Sequence, residues 1–429
     1  MTPSGSRKPA LLAGDCPAFE GVASASRTVP STAATVSPCK IEIDFYNAGM
    51  VPRVAIDLVR KRLRDGPVLA LVGARQSGKT TLARTLSDLH FDLEQPADRL
   101  RLDLEWESIV AGRRLIVLDE VQEAPEVFGR LRNAIDEDRR RNGRFLLLGS
   151  VSPALMTQVS ESLAGRLAII ELPPLILPEL AGNRLQHMWL TGGFPDGGVL
   201  GTGSFPTWQR DYLSLMTQRD LPNWGLPAQP QVTSRLVRML AAVHGQVWNA
   251  SAVGQSLGLS YHTVNKYVDY LEGAFLVRRL APFHANLHKR LVRSAKLCWR
   301  DSGLLHSLLG IEDHDGLLHH PAVGASWEGF VIEQALNWLA VSGHATQPFF
   351  FRASDGTEID LVFRHRKALW AVEVKLTSSP SDEDFRKLDR AAELIGAGRR
   401  VLVSQTARST IGRDRSSCTL PGLLGLLGE

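Results

Sequence analysis

Cysteine is scarce in this chain: Cys16, Cys39, Cys298 and Cys418 are the four in 429 residues, and they are scattered. With no CxxC pair and no Cys/His cluster, the spacing argues against a disulfide framework and against a structural zinc site. No run of about 18 apolar residues is present, so no membrane partner is expected. The N-terminus lacks the roughly 7–15-residue apolar core of a signal peptide, which makes the cytoplasm the expected compartment. Charge is nearly balanced as well. The net value of +4 is too small to imply a nucleic-acid partner by itself. What remains is ordinary globular composition, 44% hydrophobic and 22% charged, at a length that suits two to four domains.

Residues 1–49 are rich in Ser, Thr, Ala and Pro without apolar periodicity, and such a segment is expected to be disordered. Met50 opens the first structured stretch, so translation starting there is an alternative to Met1. From about 50 to 180, short apolar runs alternate with amphipathic stretches, the pattern of a parallel α/β sheet. The strand candidates are 68–72, 90–94, 115–119, 145–149 and 167–172, with helices expected over Thr80–Leu89 and Glu126–Arg139. Three of these runs are apolar throughout, as befits strands covered on both faces. Residues 181–231 form a helical, Trp-bearing linker.

Gly73-Ala74-Arg75-Gln76-Ser77-Gly78-Lys79-Thr80 fits G-x-x-x-x-G-K-[ST] between an apolar strand and a helical stretch. The glycines let the backbone wrap so that its N–H groups point at phosphate oxygens, and Thr81 extends the set. Lys79 supplies a point charge for the β- and γ-phosphates, while the Thr80 hydroxyl suits Mg²⁺. Downstream, Leu115-Ile116-Val117-Leu118 leads into Asp119 and Glu120. Asp119 at a strand tip would hold the Mg²⁺ shell, and Glu120 would orient or deprotonate the attacking water. The expected ligands are therefore ATP and Mg²⁺, with Lys79, Asp119 and Glu120 catalytic. The acid pair and the chain length speak against a small-molecule kinase. Ser150 is either a γ-phosphate sensor or a turn serine. Arg166 either reaches a phosphate, in cis or across an oligomer contact, or is a structural arginine.

The segments GARQSGKTTL, LIVLDEVQ, FLLLGS, SLAGR and ELPPL resemble a bacterial ATPase family with an AAA-type domain and a DUF4143-like C-terminal domain. The likeness covers most of residues 50–405 and extends to archaeal ATPases in which a winged helix and a nuclease-like domain follow the core. It implies a P-loop sheet of order 5-1-4-3-2 in the core, residues 50–180.

Residues 232–300 read as a winged-helix domain: Val232–Gly245, Ser251–Leu257, a Gly-bearing turn, then Tyr261–Gly273. Tyr261, His262, Thr263, Asn265 and Lys266 would face a DNA major groove. The stretch from Gly273 to Arg300 has no carboxylate but carries Arg278, Arg279, Lys289, Arg290, Arg293, Lys296 and Arg300, a positive field suited to DNA over 261–300. Internal packing against neighbouring domains is the competing reading, and a partner protein the alternative ligand.

Residues 301–429 show a helix over Trp327–Leu339, strands at 348–353, 358–363 and 369–376, a helix over Asp382–Ile395 and a strand at 399–405. This order resembles the PD-(D/E)xK nuclease fold. Glu373 and Lys375 share one strand face, Asp360 lies on the neighbouring strand, and Glu328 sits on the helix. Together they would make a second Mg²⁺ site for phosphodiester attack, or a solvated sheet face.

Overall fold

Five parallel strands form the first sheet of the computed structural model: β1 (Val68–Val72), β2 (His90–Asp92), β3 (Ile116–Asp119), β4 (Phe145–Gly149) and β5 (Leu167–Glu171). Their order, β2-β3-β4-β1-β5, is the expected 5-1-4-3-2 read from the other edge. The structure describes residues 50–149, 163–201, 204–283 and 294–429. Segment 1–49, Ser150 and the basic residues Lys289, Arg290 and Arg293 lie outside the described residues.

Alternation explains why the central strands are apolar throughout. Val68, Ala70, Phe145 and Leu147 pack into one core with the helices Pro96–Ala111 and Val127–Glu137. Leu69, Leu71, Leu146 and Leu148 point to the opposite face, against the helix Ala55–Asp65. Both faces are thus covered, which a parallel sheet requires. β4 sits between β1 and β3, so the loop after β1 and the tip of β3 reach the same end of the sheet. The helix after the loop is shorter than expected, Lys79–Arg84. Thr85 Oγ1 donates back to Leu82 O, and Ser87 Oγ donates to Leu115 O, side-chain bonds that compete with helix continuation.

Beyond the core, helices Pro230–Ala242, Ala250–Leu257 and Tyr261–Gly273 bury Leu236, Leu240, Val264, Val268 and Leu271 in a common apolar cluster. Asn249 and Ser260 cap the second and third helices, accepting from the backbone N–H groups of Ala252 and Thr263. Three strands accompany them, β6 (Gln246–Val247), β7 (Val277–Pro282) and β8 (Lys296–Trp299). They continue directly into β9 (Phe349–Arg352), β10 (Glu358–His365), β11 (Ala368–Val374), β12 (Arg399–Val403), β13 (Thr410–Ile411) and β14 (Arg415–Cys418). The join is parallel pairing of β7 with β9, Ala281 opposite Phe349, so one sheet of order 13-14-12-11-10-9-7-8-6 carries both regions. The helix Val323–Val341 is buried nearly all round. Its Gln334 accepts from Leu177 N, and its Val341 enters the apolar cluster of the helix Ala55–Asp65 that covers the first sheet.

Candidate functional site

The loop after β1 is built on two left-handed glycines, Gly73 at φ 153° and Gly78 at φ 93°, with Gln76 also at positive φ. A Cβ on Gly73 would lie 2.3 Å from Leu172 O. Beneath the loop, buried Arg53 donates through Nη1 to Ser77 O at 2.7 Å and through Nη2 to Pro173 O at 2.6 Å, while its Nε pairs with Glu179 at 3.1 Å. Arg53 is not evident from sequence because a lone arginine before an amphipathic helix has no local signature.

Inside the loop, Lys79 Nζ donates to Gly73 O at 3.0 Å and Ala74 O at 2.9 Å. Burial lowers its pKa to about 8, against the pull of Glu120 and Asp119. Thr80 Oγ1 donates to Asp119 Oδ2 at 2.7 Å. Burial would raise the Asp119 carboxyl, but hydrogen bonds from His90, Thr80 and the Glu120 N–H outweigh it and hold it below the usual range. His90, on the neighbouring strand β2 with Nε2 3.4 Å from Asp119 Oδ2, is a second residue that no sequence motif marks. Glu120 is left-handed at φ 50°, ψ 49°, and its carboxylate accepts from Gln122. A non-glycine residue there marks strain held by its surroundings.

These residues fit a magnesium nucleotide. Among the described residues Ser77 Oγ is buried without a hydrogen-bond partner, an unsatisfied group lying in the loop itself. The lysine donates to two loop carbonyls, and Thr80 and Asp119 supply two adjacent oxygens. Among the described residues no three His, Cys, Asp or Glu side chains form a metal cage. Mg²⁺ typically takes few protein oxygens and completes its shell with phosphate and water. Thr81 is exposed. Arg166 is tied by Nη2 to both oxygens of Asp136, at 2.7 and 2.9 Å, an ion pair on the helix Val127–Glu137 that matches the structural of its two expected roles.

The C-terminal set also comes together. Leu361 faces Val372 across β10 and β11, making Asp360 and Glu373 cross-strand neighbours. Glu328, Asp360, Glu373 and Lys375 line a cavity of about 1290 Å³. Lys375 Nζ pairs with Glu373 at 2.7 Å, and Asp360 Oδ2 accepts from Val374 N. An unexpected member is Lys296 from β8. Its ammonium lies 2.5 Å from Glu328, 3.0 Å from Glu358 and 3.7 Å from Asp360. Burial, then the neighbouring Asp360 charge, pushes Glu328 and Glu373 well above the ordinary carboxylate range.

Among the described residues of the basic stretch, the cations are paired with carboxylates. Arg278 forks onto Glu333, Arg279 pairs with Glu272 and Asp269, and Arg300 bridges Glu171 and Glu333. The partners are remote in sequence or precede the stretch, so a local carboxylate count could not find them. Of the five residues assigned to a DNA groove, Asn265 accepts from Trp248 Nε1 at 2.8 Å and Thr263 is tied to Ser260. Tyr261, His262 and Lys266 are exposed at the surface of that helix.

A glycine-hinged loop after the first strand of a 5-1-4-3-2 sheet, with an acid pair beside it, is the arrangement of an AAA-type P-loop ATPase domain. The chain belongs to a family that joins such a domain to a C-terminal domain of unknown function, DUF4143: the AAA domain matches residues 65–181 and DUF4143 residues 323–421. Between them, residues 182–315 match a further domain of unknown function, DUF8612. Uncharacterized proteins of Mycobacterium tuberculosis and Mycobacterium bovis are each 37% identical over 334 residues, covering 77% of this chain and 75% of theirs. Among solved structures, a signal-transduction ATPase with a tetratricopeptide repeat sensor from Pyrococcus horikoshii is similar at 10% identity and a TM-score of 0.24. That match takes in 69% of this chain and spans about half (47%) of the neighbour's length. Can2 from Sulfobacillus thermosulfidooxidans, solved with cyclic tetra-adenylate, gives 11% identity, a TM-score of 0.20, and coverage of 84% of this chain and 99% of its own. Scores this low carry no functional argument. Among the described residues no helix is long and apolar enough to cross a membrane.

Proposed function

We propose that this chain binds ATP with Mg²⁺ at the Gly73–Thr80 loop, hydrolyses it, and uses the cycle to shift its winged-helix (232–300) and nuclease-like (301–429) modules. The observation that carries the reading is the convergence of Lys79, Thr80, Asp119 and Glu120 at one end of the first sheet. Lys79 would exchange its two carbonyl partners for phosphate oxygens. Thr80 and Asp119 would hold Mg²⁺, which supplies charge neutralisation on the phosphates. Glu120, held at positive φ and steadied by Gln122, would orient the attacking water. Lys79→Ala is expected to abolish ATP binding, whereas Glu120→Gln binds ATP but turns over about a hundredfold slower or worse. Unchanged turnover in both variants removes the assignment.

The C-terminal module is read as binding a protein or DNA partner rather than cutting nucleic acid, because a lysine ammonium already sits among the carboxylates that would hold a metal. Labelled DNA with Mn²⁺ should stay uncut by wild type and Asp360→Ala alike. A product that vanishes in Asp360→Ala restores the nuclease alternative.

A further inference from the structure

The phosphate loop is attached to the middle of the chain as well as to its own sheet. Ala74 belongs to the apolar cluster containing Phe194, Tyr212 and Met216. Arg75 Nη1 lies 2.7 Å from Asp220 Oδ1. Asp220 is the last residue of a π-helical turn, Met216–Asp220, that continues the helix Thr207–Leu215, and its side chain is 4% exposed. Single π turns are rare and gather at functional positions.

Two details separate this contact from ordinary packing. First, Asp220 has a second cation: Arg219 Nε is 2.9 Å from the same Oδ1. Loss of Arg75 would therefore leave the buried carboxylate still paired, and no uncompensated charge would block the change. Second, Arg75 is about a quarter exposed (26%) and feels the carboxylates of Glu120 and Glu94 as well as that of Asp220. Its guanidinium lies within electrostatic range of both the nucleotide site and the middle helix. A planar guanidinium binds phosphate in two-point fashion, so a phosphate chain bound in the loop would compete with Asp220 for it.

We infer that Arg75 is a γ-phosphate sensor: with a triphosphate in the loop it turns from Asp220 to the terminal phosphate, and the helix spanning 207–220 is released. With a diphosphate the pair re-forms. This rests on the proposed ATP site and names the path by which its occupancy reaches the middle module. Arg219 makes the release reversible, because it keeps Asp220 neutralised in both states.

The test uses the full chain, with ATPγS and ADP as probes and amide hydrogen exchange over residues 207–224 as the readout. In wild type, ATPγS should speed exchange there about tenfold over ADP. Asp220→Asn should exchange fast with either nucleotide. By reciprocity it should also bind ATPγS more tightly, with ADP affinity unchanged. Arg75→Lys, which keeps the charge but not the planar fork, should reduce the preference for ATPγS over ADP and the exchange difference together. If both variants keep the wild-type nucleotide preference and exchange pattern, the pair is structural and the inference is overturned. If wild type and Lys79→Ala bind ATPγS equally, the ATP site itself is wrong, a distinct outcome. Should Asp220→Asn fail to fold, Arg75→Lys decides alone.

Discussion

A Cβ on Gly73 would lie 2.3 Å from the carbonyl oxygen of Leu172, so the phosphate loop crosses the segment after β5 with no room for a side chain. Leu172 N in turn donates to Val72 O at 2.7 Å, which fixes that segment against the loop's own strand. Backbone meets backbone here, and neither can yield.

Gly73→Ala is therefore expected to cost about 2–3 kcal/mol through strain at positive φ and displacement of the Leu172 segment. Gly165, also left-handed at φ 74° but with no atom of the described residues within 4 Å of where a Cβ would sit, serves as control. Gly165→Ala should cost only about 1 kcal/mol. Urea unfolding of both variants measures the difference. Equal losses would mean that the Leu172 contact relaxes freely.

The phosphate loop was legible because its constraints are local: the glycines, Lys79 and Thr80 lie within eight positions, and their spacing is the geometry. The core strands were legible for a related reason, since a run such as Val68–Val72 can be apolar throughout only where both faces are covered. Pairings across long separations left no such trace. Arg75 and Asp220 are 145 residues apart, and Arg53 and Glu179 are 126 apart. The same limit holds for charge. Arg278 and Lys296 look like an unopposed positive field until the fold brings up Glu333 and Glu328 from the helix Val323–Val341.

Lys296 is 4% exposed and is the shared cation of Glu328, Glu358 and Asp360. Lys296→Met would leave three crowded carboxylates without it, at a cost of about 3–5 kcal/mol. A divalent ion is the natural replacement for such an oxygen set. Mn²⁺ should therefore raise the melting temperature of Lys296→Met and leave that of the wild type unchanged, measured without nucleotide so that the phosphate loop does not contribute. An equal shift in both proteins would show that Lys296 does not occupy the metal position.

The charge on Lys79 gives the ATP site a predicted pH limit. Burial brings its pKa down to about 8, and only the ammonium form can hold phosphate. Below that pH the free site carries the charge and affinity is full; above it, binding must first take up a proton. The dissociation constant for ATP in excess Mg²⁺ should thus be about tenfold weaker at pH 9 than at pH 7. The effect on folding has the opposite sign. Between about 8 and the ordinary lysine value of 10.5 the unfolded chain holds this proton more tightly than the native one, so this lysine's own contribution to stability rises with pH while affinity falls. Calorimetric titration with ATP across pH 7 to 9, paired with urea unfolding at the same pH values, separates the two. Affinity that stays flat to pH 9 would place Lys79 in a solvated position rather than in the dry loop described here.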